Sequence, residues 1–175
     1  DMIVASMTIS EERKKAVDFS DPYYDVPSRF VAKAGVFKDH TAADFKGKKI
    51  IVLRNSPRAK YLAERYKDSE VLLVNKETDI YLELAAGRGD VGFGSSVVSS
   101  EAFLKKPEGK GYAFAGPAIL DDKIFGVGTG VGMRKADEAT LGKKFNAAIE
   151  ALQANGTFKK LADKYFDYDI APRAK

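Results

Sequence analysis

The sequence predicts an α/β fold, and two patterns carry that prediction. Short apolar runs at Met2–Ala5, Lys48–Leu53 and Glu70–Val74 have the length and the β-branched content of buried strands. Segments with helical start signals or helical apolar spacing alternate with these runs. We therefore expect parallel β-α-β units, with ligand chemistry at the carboxyl ends of the strands.

Composition limits the possible classes of function. The 175 residues suit one ordinary domain or two small lobes, and 45% hydrophobic residues are enough to form a core. The chain has no cysteine, which excludes disulfides and thiolate metal sites. Its 29 basic residues are interleaved with 25 acidic ones, so the formal charge of +4 does not indicate nucleic-acid binding. No apolar run approaches the roughly 20 residues of a membrane span.

A candidate anion site follows the first strand. Ser10 is predicted to cap a short helix, because its hydroxyl can accept an unpaired backbone N–H, and Arg13 then lies in the first turn. An arginine beside hydroxyls and free backbone amides forms a planar receptor for a carboxylate. The alternative is a solvated surface arginine, since most charged side chains are exposed.

The remaining elements follow in chain order. Ser56 and Pro57 form an N-cap and a first-turn proline, which together are a strong helix start. The sequence further predicts strands at 28–34, 90–93, 112–115 and 124–133, a helical turn at 41–47, and helices at 57–66, 77–86, 97–105 and 137–154, with Thr157 capping a last helix.

Two local features suggest chemistry but have simpler explanations. Glycines alternate from Gly126 to Gly132, yet they lack the spacing of a phosphate loop, so we expect a strand with close backbone approaches. His40 is the only histidine and has no partners at ligand-like spacing, so we expect it at the surface. The sequence thus predicts no metal, no cofactor and no catalytic residue.

Motifs along the whole chain resemble those of the periplasmic binding proteins for polar amino acids, of the lysine/arginine/ornithine and histidine type, which supply ABC importers. These motifs are DMIVASMTISEERKKAVDFSDPYY at 1–24, LAAGRGDVGF at 84–93, FLKKPEGKGYAFAGP at 103–117, FGVGTGVGMRK at 125–135 and NGTFKKLADKYFDYD at 155–169. The resemblance implies a two-lobed, hinged periplasmic-binding-protein fold of type II. Residues 27–127 would form lobe 2, and residues 1–26 with 128–175 a partial lobe 1, because such proteins normally carry a further N-terminal segment.

The resemblance also implies a function and a site. The chain would be a non-enzymatic, periplasmic solute-binding protein, with the importer's membrane subunits as partners. Its ligand would be an amino acid or an opine-like derivative. The implied ligand-binding residues are Ser6, Met7, Thr8 and Arg13 in lobe 1, and Leu53, Ser56, Arg58 and Ser95 in lobe 2, with the carboxylate clamped by Arg13 and by the helix start at Ser56.

Departures from the family pattern bear on the ligand. Asn55 replaces a glycine, Pro57 removes an N–H donor, and Arg58 stands where a neutral polar residue is common. Ser95 replaces an aspartate that holds the ligand's ammonium group, which favours a modified amine or a ligand with an extra carboxylate. Arg54 and Arg58 would fit that extra acid, or both point to solvent. We expect weak or no amino-acid binding by these residues alone.

The sequence leaves open two other functions and the formation of a homodimer. A cyclohexadienyl dehydratase shares this fold, but such an enzyme needs a positioned acid or base and the sequence offers no strong candidate. A ligand-sensing domain of a receptor is the second alternative. An incomplete first lobe would also expose apolar surface and open sheet edges, which predicts a homodimer, with strand exchange as one form.

Overall fold

The computed structural model describes residues 1–4, 7–166 and 169–172. The chain divides into two compact units, unit 1 (Asp1–Val26 and Phe125–Lys175) and unit 2 (Pro27–Ile124). No helix among the described residues is long and apolar enough to cross a membrane.

The strands and helices are short. In chain order they are β1 (Met2–Ile3), α1 (Glu11–Lys14), β2 (Asp18–Phe19), β3 (Ser28–Lys33), β4 (Lys49–Leu53), α2 (Pro57–Arg65), β5 (Glu70–Val74), α3 (Glu77–Ala85), β6 (Val91–Ser95), α4 (Ser96–Ser99), β7 (Tyr112–Ile119), α5 (Asp122–Phe125), β8 (Gly132–Met133), α6 (Lys143–Ala154) and α7 (Thr157–Tyr165). Wider π-helical turns at Ser100–Leu104 and Glu138–Gly142 extend α4 and precede α6.

Unit 2 is built on a five-stranded sheet with the order β5-β4-β6-β3-β7. Strand β4 is parallel to both of its neighbours, β5 and β6, whereas β3 is antiparallel to β6 and β7. Ile50, Ile51 and Val52 of β4 are fully buried, because the strand lies between β5 and β6 and both of its faces are covered. The carboxyl ends of three parallel strands therefore meet at one edge of the sheet.

The core of unit 2 has a layer on each face of that sheet. On one face, Ile80, Tyr81 and Leu84 of α3 pack with Ile51 and Phe103. An aromatic cluster forms the second layer and consists of Phe30, His40, Phe45, Tyr66 and Phe93. Phe30 and Phe93 are direct cross-strand partners, and their rings stack with centroids 4.2 Å apart.

Unit 1 contains a three-stranded antiparallel sheet with the order β1-β8-β2. Its buried apolar residues are few and include Ile9, Val131 and Met133. Helices α6 and α7 are amphipathic in sequence, yet neither has a fully buried residue. The described part of unit 1 therefore has a small core.

Several predicted elements differ from the structure. The sheet of unit 2 is mixed: β4, β5 and β6 have the predicted parallel arrangement, whereas the antiparallel pairing of β3 and β7 was not predicted. Of the strand expected at 124–133, only Gly132–Met133 is extended, because Gly126 and Gly128 adopt positive φ angles of 77° and 100° that interrupt it. Residues 42–47 form turns rather than a helix. Thr157 is the first residue of α7, and Gly156 takes the cap position.

Candidate functional site

In unit 1, the segment Met7–Ile9 runs beside the glycine-rich stretch 126–130. The Ile9 N–H donates to the Gly128 carbonyl at 2.9 Å, and the Met7 carbonyl accepts from the Gly130 N–H at 3.2 Å. Thr8 forms a single β-bridge with Thr129. This pairing fixes the backbone of the predicted anion site in unit 1. Ser6, which the family resemblance places in that site, lies outside the described residues.

Arg13 lies in helix α1 close to that segment. Ser10 caps the helix as predicted, with its hydroxyl oxygen 3.4 Å from the Arg13 backbone nitrogen. The guanidinium donates through Nη1 to the Thr8 carbonyl at 3.0 Å. Arg13 is exposed, and no ion pair within 4.0 Å connects it to a carboxylate among the described residues. Its remaining N–H groups can therefore receive an anion.

In unit 2, the loop from Leu53 to Arg58 joins the end of β4 to helix α2. The Ser56 hydroxyl accepts from the Ala59 N–H at 3.2 Å and donates to the Leu53 carbonyl at 2.6 Å, which closes the turn. Asn55 has a φ of 52° and is the only non-glycine residue with positive φ in the described chain. Asparagine tolerates that conformation well, so it can stand where the family has glycine.

Arg58 is held inside unit 2 rather than directed to solvent. Its Nε donates to the Ser28 hydroxyl at 2.9 Å, and its Nη1 lies 3.7 Å from Oε1 of Glu77. The Arg58 side chain is only 18% exposed. Arg54, by contrast, is exposed. Of the two arginines considered for an additional ligand carboxylate, only Arg58 is therefore positioned by neighbouring side chains.

Ser95 ends strand β6 and is nearly buried. Its hydroxyl caps α4 by accepting from the Val98 N–H at 3.2 Å, and its carbonyl accepts from the Ser99 hydroxyl at 2.7 Å. Its backbone N–H donates to Oε1 of Glu77 at 2.5 Å. The serine thus brings no charge itself, but a carboxylate lies directly beside it.

Glu77 is the residue that sequence reasoning missed. It begins helix α3, and Gly94 leaves room for it, because a Cβ atom at that glycine would lie 3.1 Å from Oε1 of Glu77 and 2.3 Å from the Tyr81 hydroxyl. The Tyr81 hydroxyl is hydrogen-bonded to Ser99 at 2.6 Å, and burial raises the pKa of Tyr81 well above its usual value. The neutral Tyr81 hydroxyl and the Glu77 carboxylate therefore both lie in the space that a side chain at Gly94 would fill.

The structure brings the predicted residues together in two separate sets. Met7, Thr8 and Arg13 share one short stretch of unit 1, and Leu53, Ser56, Arg58 and Ser95 lie at the carboxyl edge of the sheet in unit 2. A cavity in unit 1 of about 510 Å³ lies elsewhere, along α7, and is lined by Phe158, Lys159, Ala162, Asp163, Phe166, Asp169 and Ala171. None of the predicted ligand residues lines it.

His40 is not the surface residue that the sequence suggested. Its ring lies 5.5 Å from that of Phe30, and its Nε2 atom is buried without a hydrogen-bond partner. Its carbonyl accepts from the Tyr66 hydroxyl at 2.6 Å. The described residues contain no group of three or more His, Asp or Glu side chains that could hold a metal ion.

Two α/β units with polar clusters at strand ends and at a helix start have the architecture of solute-binding proteins. Residues 1–168 match the family described as bacterial extracellular solute-binding proteins, family 3, and the chain belongs to that family. This result confirms the resemblance inferred from the motifs.

Named relatives show how far the similarity extends. The chain is 46% identical to an L-arginine-binding protein of Pseudomonas aeruginosa and 41% identical to the histidine-binding periplasmic protein of Salmonella typhimurium, over 97% of this chain in both cases. It spans 66% of the length of each relative. An ancestral arginine-binding protein solved with bound arginine superposes with a TM-score of 0.72 at 32% identity, over 95% of this chain and 71% of that one. These matches confirm the predicted α/β fold of the type II periplasmic binding proteins.

Proposed function

We propose that the chain is the periplasmic amino-acid-binding component of an ABC importer, with a basic amino acid as ligand. The observation that carries this proposal is the family match along residues 1–168, together with 46% identity to a protein named for binding L-arginine. The importer's membrane subunits are the partners that the family resemblance implies.

The geometry supports ligand contacts from each of the two units. Arg13 offers guanidinium N–H groups for a carboxylate in unit 1, with Thr8 holding it through its carbonyl. Leu53, Ser56, Arg58 and Ser95 gather polar and backbone groups at the strand ends of unit 2, where ligands of open α/β sheets bind. We propose these as the ligand contacts, with Met7 and Ser6 completing the segment in unit 1.

A binding role is favoured over the two alternatives. The relatives described above are named as binding proteins, which argues against a dehydratase. The name of the Salmonella typhimurium relative also supports the periplasmic location rather than a sensory domain of a membrane receptor. We further propose that the two compact units correspond to the two lobes of the family.

Calorimetric titration of the 175-residue chain tests the proposal. The sequence left weak binding and no binding open, and the geometry of the two units favours weak binding. We expect heats of binding with arginine, lysine and histidine at millimolar concentrations, because Arg13 and the edge of unit 2 are present. The binding is expected to be weak because about a third of the relatives' length has no counterpart in these residues. Glutamate and octopine are the comparison ligands. Micromolar affinity for any common amino acid would contradict the expected weakness, and no binding of any ligand would contradict the function.

We also propose a homodimer formed through unit 1. Met2 and Ile3 of strand β1 are 43% and 49% exposed, and Leu161 of α7 is 55% exposed, so apolar surface and a strand edge are available for pairing. Multi-angle light scattering over a wide concentration range should show twice the chain mass, and Ile3→Lys should shift the population toward the monomer. A wild-type monomer at every concentration would refute the dimer.

A further inference from the structure

We propose that Glu77 binds the ligand's ammonium group and so determines ligand specificity in unit 2. This inference rests on the proposed function and assigns one charged contact within that site. It reverses the expectation, drawn from Ser95, that an ordinary zwitterionic amino acid would fit poorly.

The first argument is the position of Glu77. Strands β5, β4 and β6 are parallel and neighbouring, so their carboxyl ends at Val74, Leu53 and Ser95 lie along the same edge. Helix α3 begins soon after β5, at Glu77, and the Ser95 N–H donates to the Glu77 carboxylate across 18 residues of chain. The carboxylate therefore stands among the proposed ligand contacts.

The second argument is that the charge of Glu77 is only partly compensated. Its sole ion-pair partner among the described residues is Arg58, at 3.7 Å, which is longer than a hydrogen bond. Ser28 holds the Arg58 guanidinium through Nε, and this contact fixes the arginine at that distance. Within the described part of the chain, Oε1 accepts one backbone N–H and Oε2 accepts no hydrogen bond. A half-buried carboxylate in this state favours a cationic partner.

The third argument is that the Glu77 carboxylate is accessible to a ligand and already held in position. The Glu77 side chain is 22% exposed, so a ligand can reach it without any rearrangement of the helix. The absence of a side chain at Gly94 leaves room for the carboxylate, and the Ser95 amide fixes one oxygen. The carboxylate is thus preorganised, which lowers the entropy cost of binding. The ligand class is a molecule with an α-ammonium group, and an additional carboxylate is not required.

The test is a nuclear magnetic resonance titration of the 15N-labelled 175-residue chain, because the Ser95 amide is hydrogen-bonded to Glu77 and reports on it directly. L-arginine carries both head-group charges, L-argininamide keeps only the ammonium, and Nα-acetyl-L-arginine keeps only the carboxylate. We expect the Ser95 amide resonance to shift with the first two ligands and to stay unchanged with the third.

Glu77→Gln should abolish the Ser95 shift and weaken arginine binding about tenfold to a hundredfold, the loss expected for one charge-assisted hydrogen bond. The matched control is Glu83→Gln, on the same helix, where Glu83 pairs with Arg88 at the surface and the arginine affinity should be unchanged. The ligand series on the unmodified chain remains decisive even if Glu77→Gln fails to fold.

Three results would overturn the inference. Arginine could shift the amides of Thr8, Arg13 or Ser56 while Ser95 stays unmoved, or the Nα-acetyl ligand could shift Ser95 as much as arginine does. In both cases the proposed function would stand, but Glu77 would not be the contact for the ligand's ammonium group. No shift in either unit with any of the three ligands would overturn this inference and the proposed function together.

Discussion

Phe30→Ala is expected to lower the unfolding free energy of unit 2 by about 3–5 kcal/mol, the usual cost of deleting a buried aromatic ring. Phe30 is fully buried, and its ring centroid lies 4.2 Å from Phe93, 4.8 Å from Phe45, 5.4 Å from Tyr66 and 5.5 Å from His40. Removing it leaves a cavity that four neighbouring rings cannot fill without leaving their own contacts.

Urea unfolding followed by circular dichroism measures this loss. The matched control is Phe37→Ala, because Phe37 is only partly buried and its ring contact is with Phe45, at 5.0 Å. That control should cost less than about 2 kcal/mol, since less apolar area leaves water and little cavity forms. Equal costs for the two variants would show that the aromatic cluster does not carry the stability of unit 2.

The sequence predicted features that short-range chemistry determines. Ser56 and Pro57 specify the start of α2 through one capping hydroxyl and one missing N–H, and the structure places the helix there. The same holds for Ser10 at α1. The family and the α/β fold were also predicted, because motifs distributed along the whole chain carry the resemblance. The two capping signals depend on residues only a few positions apart, and each family motif is a short continuous segment.

The direction of strands could not be predicted in the same way. The apolar pattern of β3 is compatible with either direction, and its antiparallel pairing with β6 and β7 depends on residues about 60 to 90 positions away. The glycine row was correctly expected to allow close backbone approach, but the positive φ angles that break the strand at Gly126 and Gly128 were not foreseen. Glycine permits such angles without requiring them.

Glu77 shows the same limit at the candidate site. In the sequence it is one of many acidic residues at a helix start, a position that the helix dipole alone explains. Its relation to Ser95 appears only when β5, β4 and β6 are aligned, because that order places the start of α3 beside the end of β6. The lack of charge at Ser95 can therefore be read from the sequence. The position of the Glu77 carboxylate beside it depends on the topology of the sheet.

The second large effect is expected at Gly126, in unit 1. A Cβ atom there would lie 2.2 Å from the Ile9 carbonyl oxygen and 2.8 Å from Cγ2 of Thr8, and the φ of 77° is unfavourable for any residue with a side chain. Ile9 accepts from the Val127 N–H and donates to the Gly128 carbonyl, so a methyl group at 126 forces these two segments apart.

Gly126→Ala should therefore lower the unfolding free energy of unit 1 by about 2–5 kcal/mol, combining about 1–2 kcal/mol of left-handed strain with about 1–3 kcal/mol of overpacking. Gly156→Ala is the matched control, because Gly156 has a φ of 75° with no atom within 4 Å of the added Cβ, and it should show the strain alone. Urea unfolding measures both variants. Because Thr8 holds Arg13, the Arg13 amide resonance should shift in Gly126→Ala and not in Gly156→Ala. Equal stability of the two variants would mean that the close approach to Ile9 does not fix the anion site.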